Sequence, residues 1–177
     1  PCARNHRGVL YPQRGGSNAL LLRSHVPWPY TAGMPDPRHE FARQCSPFLD
    51  RLVTRHDDWL PKLMDEGRLE NDSPPTAESL EASIAAHGLD PGLRQFRNFE
   101  MLRIIWRELN AVASLEQTLF DLSHLADLCT QAAVEHHEAA LRERFGTPRD
   151  SEGNAQSLVV LGLGKLGGHE LNLSSDI

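Results

Sequence analysis

The chain has 177 residues, a net charge of −6, 40% apolar and 24% charged side chains. Those are globular proportions, sufficient for one domain or a domain plus part of another. No apolar run approaches the ~20 residues of a membrane span, and the acidic balance argues against a generic nucleic-acid binder. Cys2, Cys45 and Cys129 are odd in number and far apart, which fits a reduced, cytoplasmic compartment and no disulfide framework.

Residues 1–35 carry Arg4, Arg7, Arg14 and Arg23 and no acid. They mix Gly, Pro and Arg without helical or strand periodicity and read as a disordered arm or a sequence artefact. An acid-poor, Arg-bearing start also mimics a transit peptide, but "NALLL" is too short for a secretory core. The first residue is Pro1, so a fragment is expected. From residue 46 the pattern is helical. Ser46 reads as an N-cap with Pro47 at the first helical position, and Phe48, Leu49, Leu52 and Val53 share a face. Asp57 or Asp58 caps a short helix carrying Trp59, Leu60, Leu63 and Met64. "NDSPP" is a break. Thr76 caps the next helix, through Leu80 and Ile84, and Gly88 ends it.

Asp90-Pro91 predicts the start of a longer helix with Leu102, Ile105, Trp106, Leu109 and Val112 as its apolar stripe. Arg94, Arg97, Arg103 and Arg107 on the same helix read as surface charge, with contact to phosphate or a partner as the functional alternative. Ser114 and Gln117 form a capping box. The helix it opens runs to about Phe145, with Leu115, Leu119, Leu122, Ala126, Cys129, Ala133 and Ala140 on its buried side; Cys129 is read there as a small hydrophobe. "EHHEAAL" lacks the second histidine of a zinc-peptidase helix, because Leu141 stands in its place, so this stretch reads as a solvated face. Gly146, Pro148 and Gly153 form a turn. "SLVVL" is short, β-branched and apolar, and predicts a buried strand. Without later strands to pair with, it would present an open edge.

The segment after it, "GLGKLGGHELNLSSDI", carries the chemistry. Gly162-Leu163-Gly164-Lys165-Leu166-Gly167 spells G-x-G-x-x-G, the pattern of a dinucleotide turn, but alone it is weak. A phosphate loop ending in G-K-[ST] fails, because Leu166 follows Lys165. The third reading is nucleotidyl transfer. Glycines let backbone N–H groups approach a triphosphate, Lys165 offsets phosphate charge, and Asp176 would begin a D-x-D pair with both carboxylates on one strand face, suited to Mg²⁺.

That string resembles the nucleotidyltransferase signature of glutamate–ammonia-ligase adenylyltransferases, bifunctional enzymes that modify glutamine synthetase. The resemblance extends through "SPFLDRLVTRH", "FEMLRIIWREL" and "RFGTPRDSEG". It covers residues 42–177 and leaves 1–41 as a non-family arm. The family pattern continues past Asp176-Ile177 with a second acid. The resemblance implies a mainly α region over 42–156, leading into the start of an α+β polymerase-β-like domain at 157–177, truncated here. It implies nucleotide binding at Gly164, Lys165, Gly167, Gly168 and Ser175, and Asp176 as metal ligand and catalytic carboxylate. It further implies Mg²⁺, ATP or ADP and inorganic phosphate as small-molecule partners. Glutamine synthetase and a PII-type signal protein are the protein partners it implies. The wording Asn172-Leu173-Ser174-Ser175-Asp176 looks like the half that removes AMP. The alternatives are a helical interaction domain before a Rossmann-type domain, and a helical binding module without catalysis.

Overall fold

The computed structural model describes residues 36–175, and before them the backbone of two short strands, β1 (Cys2–Arg4) and β2 (Leu10–Pro12), paired antiparallel. The remainder of the expected amino-terminal arm lies outside the described residues. Seven helices follow: α1 (Pro37–Cys45), α2 (Pro47–Arg55), α3 (Trp59–Asp65), α4 (Ala77–His87), α5 (Leu89–Leu109), α6 (Leu115–Phe145) and the single-turn α7 (Gly164–Gly167). Residues 36–175 contain no strand, so this part of the chain is mainly α.

Local chemistry sets most of the boundaries. The Ser46 hydroxyl accepts from the Leu49 N–H at 3.2 Å to start α2, and Thr76 does the same for Ser79 at 3.3 Å to start α4. Ser114 and Gln117 close both halves of the capping box that opens α6. Gly88 ends α4 with φ +83°, a conformation open to glycine at little cost. α5 then begins at Leu89, with Gly88 rather than Asp90 as its cap. α1 was not foreseen. Asp36 caps it by accepting from the Arg38 N–H at 2.9 Å, and Pro37 fits the first helical turn.

α5 is the axle of the fold: it touches α1, α2, α3, α4 and α6. Every residue from Glu100 to Arg107 is buried, the mark of a helix enclosed on all sides. Its approach to α4 is close enough that a Cβ on Gly92 would lie 2.6 Å from Ile84 Cα. Trp106 is fully buried, and its indole N–H donates to His39 Nδ1 at 2.9 Å. That fixes the imidazole as the neutral tautomer carrying its proton on Nε2, which faces Met64 Sδ at 2.9 Å.

Full enclosure forces the charges of α5 to be answered inside. Arg103 has no exposed side-chain surface, contrary to the expectation of surface charge. It donates to Glu100 at 2.8 Å and to Asp121 of α6 at 2.6 Å. Glu100, also fully buried, accepts from Arg68 at 2.7 Å. Arg107, 2% exposed, donates to the Asn71 carbonyl; burial and the neighbouring Arg103 depress its pKa. A buried arginine is tolerated only when paired and hydrogen-bonded, and the pairing here joins the α3–α4 loop, α5 and α6.

The buried side of α6 also differs from the expected one. Its inward residues are Thr118, Asp121, Leu122, Ser123, Leu125 and Ala126, whereas Leu115 and Ala140 are exposed. The helix outlasts its partner α5, and apart from Glu138 and Arg142 its residues 135–145 are exposed.

Removing one member of the buried ion chain leaves the other uncompensated, so Asp121→Ala should lower unfolding free energy by about 3–5 kcal/mol. Glu143→Ala on the exposed end of α6 should change it by less than about 0.5 kcal/mol. Urea denaturation followed by circular dichroism checks both.

Burial lowers the His39 pKa from its ordinary 6.5. The folded protein therefore resists a proton that the unfolded chain accepts, and stability is full above pH 6.5 and falls as the pH drops below it. The melting temperature should fall between pH 7.5 and 5.5, and the fall should be smaller in His39→Gln.

Candidate functional site

The predicted site residues lie on one loop-and-turn segment that begins where α6 ends. Gly146 closes α6 with φ +86°. Asp150 then organises the tight connection: its carboxylate accepts from the backbone N–H groups of Asn154 and Glu152, each at 2.9 Å. The amide hydrogen bond from Asn154 is the chief cause of a pKa held below the usual carboxylate range. Residues 157–161 follow. They form no strand. Leu158, Val159, Val160 and Leu161 are 52–78% exposed. The expected buried strand is therefore absent from the described residues, because no second strand lies beside it to take up its backbone groups.

The glycine turn is defined by contact rather than by motif count. A Cβ on Gly167 would sit 2.3 Å from the Gly162 carbonyl oxygen and 2.9 Å from its carbon. The backbones at 162 and 167 touch, and no side chain fits between them. Gly164 adopts φ +57°, a second reason for glycine. Gly168 is different: its added Cβ would meet Gly164 O at 3.4 Å, an ordinary contact. The Gly168 N–H donates to Gly164 O at 3.0 Å, and the Glu170 N–H donates to Lys165 O at 2.7 Å. The turn thus folds back on itself and holds Lys165 on its exposed side.

Beyond the turn the chain re-enters the helical body. Leu171 is 4% exposed, and its N–H donates to the Ser123 hydroxyl of α6 at 3.2 Å. Asn172 Oδ1 then accepts from the Ser174 N–H at 3.2 Å and from both serine hydroxyls, at 2.8 Å from Ser174 and 3.1 Å from Ser175. The Ser175 Oγ in turn accepts from the Asn172 N–H at 3.1 Å. Ser175 is therefore held in an Asn-built turn. Asp176 lies outside the described residues. A cavity of about 360 Å³ separates this turn from α5 and α6, with Arg97, Leu122, Cys129, Val134, Leu171 and Ser175 among its walls. Burial pushes the Cys129 thiol up to about 11, so Cys129 is an unreactive wall, in agreement with its reading as a small hydrophobe.

A family profile described as glutamate-ammonia ligase adenylyltransferase matches residues 41–177. The chain belongs to that family. Among curated proteins, the bifunctional glutamine synthetase adenylyltransferase/adenylyl-removing enzyme of Thioalkalivibrio sulfidiphilus is 41% identical over 140 residues, covering 75% of this chain and 14% of the relative. The protein of the same name from Pseudomonas aeruginosa is 41% identical over 153 residues, 81% of this chain and 16% of the relative. The one from Shewanella loihica is 41% identical over 137 residues, 75% of this chain and 14% of the relative. The chain thus spans about one seventh of the length of these adenylyltransferases.

The structure brings Gly164, Lys165, Gly167 and Gly168 into one turn and returns the chain through Leu171 to Ser175. Two features escaped the sequence. The requirement at Gly167 comes from the Gly162 carbonyl, 2.3 Å from where a Cβ would stand, whereas a Cβ on Gly162 would meet only the Leu166 side chain at 3.3 Å and backbone at ordinary distances. Glu138, assigned to a solvated face, instead accepts from Arg142 and from the Leu158 N–H, both at 2.9 Å. Those two donors hold its carboxyl below the usual range. The i,i+4 spacing of Glu138 and Arg142 was a readable signal for the pair; their hold on residues 156–158 was not. His136 and His137 are exposed, and no group of three metal-ligating side chains forms among the described residues. No helix there is long and apolar enough to cross a membrane.

The contact geometry separates the glycines. Gly167→Ala should displace the amide resonances of residues 162–170 in a ¹⁵N-correlated spectrum, whereas Gly168→Ala should leave them close to their original positions.

Proposed function

We propose that the chain is part of an enzyme that controls glutamine synthetase by attaching AMP to a tyrosine and removing it. This part belongs to the removing half. The reading is carried by the closed glycine turn, whose Gly162–Gly167 backbone contact leaves no room for a side chain, within a chain matched to the adenylyltransferase family over residues 41–177.

In this reading the segment from Gly162 to Asp176 opens an α+β nucleotidyltransferase domain of polymerase-β type. Gly164, Gly167 and Gly168 bring backbone close to nucleotide phosphate, and exposed Lys165 offsets its charge. Ser175 is fixed by its hydrogen bonds with Asn172. The described residues do not make a magnesium site by themselves, since the Ser175 hydroxyl is already engaged with Asn172. Asp176 supplies the carboxylate that would hold Mg²⁺, and the ion when bound neutralises charge on the reacting phosphate oxygens. In removal, a phosphate oxygen attacks the phosphorus of the tyrosine-linked AMP in line, the phosphorus–tyrosine oxygen bond breaks, and ADP and free tyrosine hydroxyl result. Attachment runs from ATP to the same hydroxyl. A PII-type signal protein is the proposed protein regulator.

The test is an assay with adenylylated glutamine synthetase, phosphate and Mg²⁺. The chain extended to the full length of its relatives should release ADP, and Asp176→Asn should lower the rate at least about a hundredfold, the scale of losing a main electrostatic contributor. The 177 residues alone should show no turnover. ADP release by them well above a buffer control would contradict that, and an inactive extended chain would remove the functional reading.

A further inference from the structure

The glycine turn is tied to α6 at two places. At its exit, Leu171 N–H donates to Ser123 Oγ at 3.2 Å. At its entry, Arg142 Nη2 donates to the Gln156 carbonyl at 2.9 Å and to Ser157 Oγ at 2.8 Å. Glu138 Oε1 bridges the same point, accepting from Arg142 Nη2 and from the Leu158 N–H at 2.9 Å each. Ser123 and Glu138 are on one helix, and at 1.5 Å per residue they stand ~22 Å apart along its axis. Everything between the two ties, including the whole turn, hangs from one face of α6.

The two ties differ in setting. Ser123 is fully buried and its hydroxyl also donates to Leu119 O at 2.8 Å, so it belongs to the core. Glu138 and Arg142 lie on the half of α6 that projects past the core, and their side chains are 19% and 30% exposed. An ion pair so placed adds little to global stability. Its consequence is local: residues 157–161 have no strand partner to fix them, and the Glu138–Arg142 pair is what sets where that segment leaves α6.

We propose that Glu138 and Arg142 are positioning residues for the glycine turn, fixing its entry so that the turn and the Asn172–Ser175 bend face one substrate. The proposal rests on reading that turn as the phosphate-binding element. The anchoring itself is a property of this chain.

Two measurements test it. In the 177-residue chain, Glu138→Leu should speed hydrogen exchange of the Leu158 amide about tenfold, the scale of a lost hydrogen bond to a charged acceptor. Glu138→Gln, which keeps an acceptor oxygen, should stay within about threefold of the original rate. The melting temperature should move by less than about 4 °C in either variant. In the chain extended to the length of its relatives, Glu138→Leu should raise the KM for phosphate about fivefold or more in AMP removal, with kcat less affected and Glu138→Gln largely restored. Unchanged Leu158 exchange in Glu138→Leu overturns the anchoring. Faster exchange with an unchanged KM overturns the positioning role. An extended chain that removes no AMP even with Glu138 intact removes the functional reading, and the exchange measurement then decides the anchoring alone.

Discussion

The structure depends on a line of buried charge, Arg68–Glu100–Arg103–Asp121, that crosses from the α3–α4 loop through α5 to α6. Burying an ion is costly, and the cost is met only where each charge finds a partner at hydrogen-bond distance. Arg103 does so twice, at 2.8 and 2.6 Å, leaving its Nη1 without a partner. Apolar packing surrounds this line with Leu102, Ile104, Trp106, Leu122 and Leu125. Apolar contact is tolerant of small shifts, whereas a guanidinium between two carboxylates is not. The charge line therefore sets the rotation of α6 about its own axis, placing Asp121 and Ser123 toward the core.

That rotation has a consequence downstream. Ser123 faces Leu171 because Asp121 faces Arg103, and about four to five turns further on the same helix presents Glu138 and Arg142 to residues 156–158. The glycine turn has no sheet to lean on among the described residues, so its placement is inherited from α6. Helical scaffold and candidate site are one mechanical unit: a change in the α5–α6 packing moves both ends of the turn together.

How far the sequence foretells this differs by kind of interaction. Helix starts were legible at Ser46, Thr76 and Ser114, because a cap is a contact within three residues of sequence. α1 escaped, although Asp36-Pro37 carries the same signal, because only Ala42 and Cys45 on it are buried and so it shows little apolar periodicity. Arg103 and Arg107 were misread since a charged side chain is ordinarily exposed, and the partners that reverse this, Asp121 for Arg103 and the Asn71 carbonyl for Arg107, are 18 and 36 positions away. "SLVVL" has the composition of a buried strand, but a strand exists only with its neighbour, and none is beside it. Leu115 and Ala140 followed the period of α6 without knowledge of where α5 stops. In the site, the glycine spacing and the Asn172–Ser175 wording were readable. The contact of Gly167 with the Gly162 carbonyl, and the anchoring by Ser123, Glu138 and Arg142, came from contacts between segments 5–48 residues apart.

The most direct test of this account is a double-mutant cycle between Arg103 and Asp121, using Arg103→Met and Asp121→Leu singly and together, with unfolding free energy and Leu171 amide exchange both recorded. The account predicts a coupling energy above about 1 kcal/mol, as expected for residues in direct contact, and faster Leu171 exchange in each single variant than in the parent chain. Additive single effects, with Leu171 protection untouched, would show that the charge line does not hold α6 and that the turn is placed by something else.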